Sequence, residues 1–255
     1  MAAFNNHDAI IEIAHQAGAA IMEIYQRDFD VETKADSSPL TEADLAAHNI
    51  IVTGLARISD LPVLSEESAS IDWQTRQQWQ EYWLVDPLDG TKEFIKKNGE
   101  FTVNIALIRN QKPVFGVVYA PALDTTYVGD VQTGAIKISE TEKQNITVKA
   151  HQSGDIWQVV GSRSHQSQEI QQYLAKLEGE TEFVAMGSSL KLCLVAEGKA
   201  HIYPRLGPTS EWDTAAAQAV VEAAGGSVNQ YPDNTPLLYN TKETLLNPYF
   251  VVSSN

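Results

Sequence analysis

Tyr82-Trp83-Leu84-Val85-Asp86-Pro87-Leu88-Asp89-Gly90-Thr91 runs from an apolar strand into a Pro and Gly turn that carries two carboxylates. Pro87 fixes its own φ and removes a donor, and Gly90 permits close backbone approach. Such a turn can aim Asp86, Asp89 and the Leu88 carbonyl at one point. Hard cations want oxygen ligands of this kind, with magnesium keeping part of its shell for water and phosphate. Asp, Pro and Gly also dominate turns for local reasons, so further carboxylates are needed before a metal site is expected.

Outward from this turn, Phe101 to Ile108 and Val114 to Tyr119 read as an antiparallel hairpin joined by Arg109-Asn110-Gln111-Lys112, with shorter strands at Thr126 to Val128 and Ala135 to Ile138. Upstream, Ile10, Ile13, Ala14, Ala17, Ile21 and Ile24 recur at helical spacing and predict a helix over Ala9 to Tyr25. A second helix is expected from Thr41, carrying Leu45, Ile51, Val52, Leu55 and Ile58, after a polar turn region from Lys34 to Pro39. Downstream of a polar stretch from Ser139 to Asp155, strand and helix alternate. Strands are expected at Trp157 to Val160, Ala200 to Tyr203 and Phe250 to Ser253. Helices are expected at Gln168 to Leu177, Ser188 to Ala196 and Asp213 to Ala224, the last closed by Gly225-Gly226. Layered sheets and helices of an α+β fold follow, with a division near residues 140 to 155.

The chain's 255 residues, 43% hydrophobic with five Trp, suit an ordered globular protein. The polar start, Met1 to Asp8, does not resemble a signal peptide, and no apolar run approaches a membrane span, so the expectation is a cytoplasmic protein without an integral membrane segment. Peripheral attachment to the inner face of the membrane stays open, as does the choice between monomer and homodimer. Cys193, the single cysteine, excludes an intrachain disulfide and a cysteine metal cluster. A net charge of −15 argues against a nucleic acid polymer as partner, while a small phosphorylated ligand is compatible if divalent cations lie between carboxylate and phosphoryl oxygens.

Further carboxylates exist. Glu66-Glu67 follows the apolar run Leu61 to Leu64, Asp213 follows Glu211-Trp212 at a helix start, and Asp44 lies three residues after Thr41. Each has a plain alternative: a solvated loop pair, an N-cap, the acidic half of a capping box. Together, Leu64-Ser65-Glu66-Glu67, the Asp86 to Thr91 run and Trp212-Asp213-Thr214-Ala215-Ala216 before Gly225-Gly226 resemble the signature motifs of the inositol monophosphatase superfamily, in order and spacing. Residues 34–44, Gly90 to Ile95, Gly187-Ser188-Ser189-Leu190-Lys191 and Tyr203-Pro204-Arg205 are similar to its 3′(2′),5′-bisphosphate nucleotidase branch, the bacterial CysQ type above all.

The resemblance implies the layered α/β/α/β/α sandwich of the inositol monophosphatase and fructose-1,6-bisphosphatase fold. Residues 1–150 would form an N-terminal α+β subdomain with most metal ligands, and residues 151–255 a C-terminal α/β subdomain with Asp213 and the nucleotide contacts. It further implies magnesium (Mg2+) held by Glu66, Asp86, the Leu88 carbonyl, Asp89 and Asp213, with Glu66, Thr91 and Asp44 handling the attacking water and no phosphoenzyme. Substrate contacts would come from Glu66, Leu88, Asp89, Gly90, Thr91 and Asp213 at the cleaved phosphate, and from Ser188, Lys191, Arg205 and the Ser164-His165 pair elsewhere. Gly187-Ser188 would open a helix whose N-terminal amides favour an anion. The implied activity is lithium-sensitive hydrolysis of adenosine 3′,5′-bisphosphate (PAP) to AMP and phosphate, extending to PAPS, in the recycling of PAP during sulfur assimilation. The alternatives are an inositol or sugar phosphate phosphatase on the same scaffold and a catalytically silent phosphonucleotide-binding protein.

Overall fold

The computed structural model describes residues 6–27, 39–161 and 167–254. Of the polar turn region expected from Lys34 to Pro39, residues 34–38 lie outside them, and Pro39 already belongs to a helix. Two helices, α1 (His7–Tyr25) and α2 (Pro39–Ile58), pack together along one side of the molecule. In α1 the six residues expected to share a face are all buried. Helix α2 begins before Thr41 and buries Ala43, Ala47, Ile51 and Leu55, while Leu45 is 43% exposed. Two positions from Ala43 and Ala47, Leu45 falls about 200° around the helix and points away from the buried stripe.

The next elements are β1 (Val63–Ser65), α3 (Trp73–Arg76), β2 (Glu81–Asp89), α4 (Thr91–Ile95), β3 (Thr102–Arg109), β4 (Lys112–Ala120), β5 (Thr125–Asp130), β6 (Gly134–Ser139) and β7 (Lys143–Ile146). The seven strands form one sheet in sequence order, parallel between β1 and β2 and antiparallel thereafter. The expected β3–β4 hairpin turns through Asn110 and Gln111 at φ 50 and 67, the positive-φ pair that suits strand twist in a two-residue turn. Strand β7 lies inside the stretch read as a polar connection. Of its four residues only Ile146 is buried, so this edge strand shows no alternation to read.

The remaining elements are β8 (Trp157–Val160), α5 (Gln168–Leu174), β9 (Thr181–Val184), α6 (Leu190–Ala196), β10 (Ile202–Arg205), α7 (Ala215–Ala223), β11 (Ser227–Gln230) and β12 (Phe250–Ser253). Their sheet has the order β11-β12-β10-β8-β9, parallel among β9, β8 and β10 and antiparallel where β12 joins β10 and β11. Helix α5 stops short of Leu177, and β10 runs two residues later than expected. Helix α6 starts at Leu190 and not Ser188, because Ser188 takes a left-handed φ of 44 that cannot continue a helix.

Alternation along β2 explains the layering. Trp83 and Val85 point into a core with α1 and α2, whereas Tyr82 and Leu84 point into a second core with α6, α7 and strands of both sheets. A strand covered on both faces reads as an unbroken apolar run. The order is therefore helices, first sheet, helices, second sheet, with α5 packed against β10. This is the α+β layered architecture expected. Among the described residues no helix is long and apolar enough to cross a membrane.

Candidate active site

Strand β2 brings its carboxylates to the site through an irregularity. Its pairing with β3 shifts register between Asp86 and Asp89, at Pro87, which has no N–H for a ladder bond. The Leu88 N–H instead donates to Asp86 Oδ1 at 3.0 Å, locking the turn around that carboxylate. The Leu88 side chain is buried in the core, so the carbonyl is the group this residue can offer a ligand. Gly90 stands at φ 98, the left-handed region, with Glu100 and Phe101 against the place a Cβ would take. Thr91 begins α4 and is exposed.

Glu66 comes alongside because β1 runs parallel to β2, with Ser65 opposite Val85 one residue before it. Asp213 arrives from the other half of the chain at the end of a single 3-10 turn, Glu211–Asp213. Its Oδ2 accepts from the Ser210 N–H at 2.8 Å, in a reciprocal capping box, and Thr214 takes the N-cap position of α7 without a side-chain cap. One carboxylate oxygen from each of Glu66, Asp86 and Asp213 lies within 4.8 Å of the others.

Burial and mutual repulsion raise the proton affinity of these acids. Burial pushes Asp86 well above the usual carboxylate range, and Asp89, Glu66 and Asp213 reinforce it. Burial and then Asp89 push Asp213 up to about 7, while burial, Glu67 and Glu66 push Asp44 up to about 8. Asp89 is raised by burial against the opposing pull of Lys191 and Ser189. Glu66 is raised by partial desolvation and then by Glu67 and Asp89, though it sits at the solvent edge of the cluster. None of the ion pairs among the described residues engages Glu66, Asp86, Asp89 or Asp213. Mutually repelling oxygen donors with no close ion pair among the described residues fit a hard divalent cation.

A cavity of about 480 Å³, counting its part open to solvent, adjoins the cluster and is lined by Asp89, Gly90, Ser188, Lys191, Arg205 and Asp213 among others. Two buried donors there, Ser188 Oγ and Arg205 Nε, have no hydrogen-bond partner among the described residues. Lys191 Nζ donates to the Ser188 carbonyl at 3.4 Å, and its pKa is lowered mainly by burial. Unsatisfied buried donors beside a lysine and an arginine make a pole suited to an anion.

The Inositol monophosphatase family model matches residues 6–254. The chain belongs to the inositol monophosphatase family. It is 51% identical over 249 residues to the "3'(2'),5'-bisphosphate nucleotidase CysQ" of Escherichia coli (strain K12), covering 96% of this chain and 98% of that protein. The crystal structure of CysQ from Bacteroides thetaiotaomicron, a bacterial member of the family, is similar at 45% identity and a TM-score of 0.89, covering 98% of this chain and 97% of that one. An inositol monophosphatase from Zymomonas mobilis, at 21% identity and a TM-score of 0.79 over 99% of this chain and 95% of that one, shares the fold. Inositol monophosphatase family proteins are metal-dependent phosphatases.

Not every motif residue expected in this family member's site is joined as anticipated. Asp44 lies inside α2, beyond its first turn, so it is not the acidic half of a capping box. No hydrogen bond links it to Thr91 among the described residues; its strongest electrostatic partners are Glu67 and Glu66. The N–H of Ser189 at the start of α6 is taken by Asp89 Oδ2 at 2.6 Å, so that amide is not open to a substrate anion. Ser164 and His165 lie outside the described residues. Ser189 and Asn104 at the centre of the site were not anticipated as site residues. The signal for Asn104 was its place as the lone amide in the apolar run from Phe101 to Ile108.

Proposed function

We propose that the chain is a magnesium-dependent 3′(2′),5′-bisphosphate nucleotidase that hydrolyses adenosine 3′,5′-bisphosphate to AMP and phosphate. The observation that carries this reading is the two-pole site: a cluster of carboxylates, Asp86 buried, Asp213 half-buried and Glu66 at the solvent edge, beside a cavity with Lys191, Arg205 Nε and Ser188 Oγ. The CysQ relatives, matched over nearly the whole chain, support it.

Glu66, Asp86, the Leu88 carbonyl, Asp89 and Asp213 would hold the cations, and Gly90 and Thr91 would frame the cleaved phosphate. When bound, magnesium supplies the positive charge that orients phosphoryl oxygens, makes water acidic and balances charge on the leaving oxygen. We assign the attacking water to Glu66, Thr91 and Asp44. A carboxyl whose proton affinity lies near neutrality, as at Asp44, is matched to taking up and releasing a proton at neutral pH. Lys191, Arg205 and Ser188 would hold the phosphate that is not cleaved. A monophosphate such as inositol monophosphate would leave those donors unpaired, and a site built around polar contacts rejects analogues that lack them. PAPS carries the same 3′-phosphate and is the expected extension. The reading places the enzyme in the cytoplasm.

The test is initial-rate phosphate release from adenosine 3′,5′-bisphosphate, PAPS, inositol monophosphate and fructose bisphosphate with magnesium present. The bisphosphate nucleotide should exceed inositol monophosphate in kcat/KM by at least about 100-fold. The reverse order would make the chain an inositol or sugar phosphatase. Magnesium-dependent nucleotide binding without phosphate release would make it a silent binding protein.

A further inference from the structure

Both Asp89 and Asp213 meet one buried residue that belongs to neither motif. Ser189 is 1% exposed. Its N–H donates to Asp89 Oδ2 at 2.6 Å, and its Oγ lies 2.8 Å from the same oxygen and 2.6 Å from the Asp213 carbonyl. Asn104, on β3 and likewise 1% exposed, donates from Nδ2 to Ser189 Oγ at 2.9 Å. The hydroxyl has one proton for two acceptors, and the amide of Asn104 fills a lone pair, so the hydroxyl can point only toward Asp89 or Asp213. Oδ2 of Asp89 is committed to Ser189, which fixes the plane of the carboxylate and the place of Oδ1. One side chain thus ties a carboxylate of the first sheet to the turn that presents the carboxylate preceding α7.

We infer that Ser189, oriented by Asn104, is a positioning residue that sets the spacing of Asp89 and Asp213 for divalent cation binding. The inference rests on the metal-dependent reading of the site and extends it to two residues that are not ligands. Partners behind a metal ligand typically contribute 10- to 100-fold in metal affinity.

Calorimetric titration of the full-length protein with magnesium chloride and with manganese chloride tests it, on wild type, Ser189→Ala, Asn104→Ala and the double variant. Each single variant should weaken cation binding by about 10-fold or more, and the double variant should add little, because both remove one node. Ser189→Thr, which restores a hydroxyl, should recover affinity. In phosphate release, the half-saturating magnesium concentration should rise by a larger factor than kcat falls. Asn104→Ala reaches the same node from another strand if Ser189→Ala does not fold. Wild-type cation affinity in both single variants, whatever their Tm, would overturn the inference. Absence of cation binding to the wild-type chain would overturn it together with the metal-dependent reading.

Discussion

Burial pushes the pKa of Asp213 up to about 7 and that of Asp44 up to about 8, with Asp89 and Glu67 the next contributors respectively. In the unfolded chain carboxyls of this type titrate near pH 4. Below that value both states are protonated and nothing is gained or lost. As pH climbs, the unfolded chain ionises first, and above the folded values the buried acids carry a charge that opposes folding. Chelated protein should therefore lose thermal stability from about pH 4 to about pH 8, and magnesium should restore it with release of protons. A flat Tm across that range in chelator would contradict the assigned burial of charge. Asp213→Asn keeps an acceptor for the Ser210 N–H while removing the charge. It should raise the Tm of the metal-free protein at pH 8 and cut turnover by about 100-fold or more, measured by differential scanning calorimetry and phosphate release on the same sample.

At the scale of elements, helix α7 decides where Asp213 stands, and two glycines decide where α7 stands. A Cβ on Gly116 would collide with the Ala216 carbonyl, and one on Gly129 with the backbone at Ala219 and Val220. Strands β4 and β5 thus admit the helix backbone directly against the sheet. Gly129→Ala should cost about 1–3 kcal/mol in urea denaturation and raise the magnesium requirement by displacing the 3-10 turn ahead of α7. Helix α1, the β3–β4 hairpin and strands β5, β6, β8 and β12 were legible because their apolar spacing or turn residues were strong. Strands β7, β9 and β11 were not: each is four residues long and mostly polar or part-exposed, so no period stands out. The carboxylates Glu66, Asp86 and Asp213 were legible because each sits in a motif, Asp86 where the ladder of β2 breaks and the other two at the ends of short turns of helix. That Ser189 joins two of them was not, because a serine between Ser188 and Leu190 looks like any helix start until β2, β3 and α7 are placed around it.

Across the whole molecule, the two halves of the chain share a core. The first sheet ends at Ile146 and the second begins at Trp157, yet Tyr82, Leu84, Ala106 and Val118 are buried in one cluster with Leu192, Val195, Val220 and Val252. Arg76, 2% exposed, adds a polar tie from the first half to the last loop, donating from Nη1 to Asn240 Oδ1 at 2.6 Å, while the Asn240 N–H holds Glu211 Oε2 at 2.9 Å, two residues before Asp213. A fragment of residues 1–150 would expose one face of its sheet and leave Arg76 without these partners. It should lack a cooperative thermal transition and dispersed amide resonances, whereas the intact chain should unfold in one step.

The proposed reaction needs carboxylates from both halves of the chain acting together in metal-dependent phosphate ester hydrolysis. It is tested most directly by phosphate release from adenosine 3′,5′-bisphosphate on one preparation, first in excess chelator and then with magnesium restored. Release should fall to background in chelator and recover fully with magnesium, with no comparable recovery in Asp213→Asn. Release that continues undiminished in chelator, or an Asp213→Asn variant as active as wild type, would contradict it.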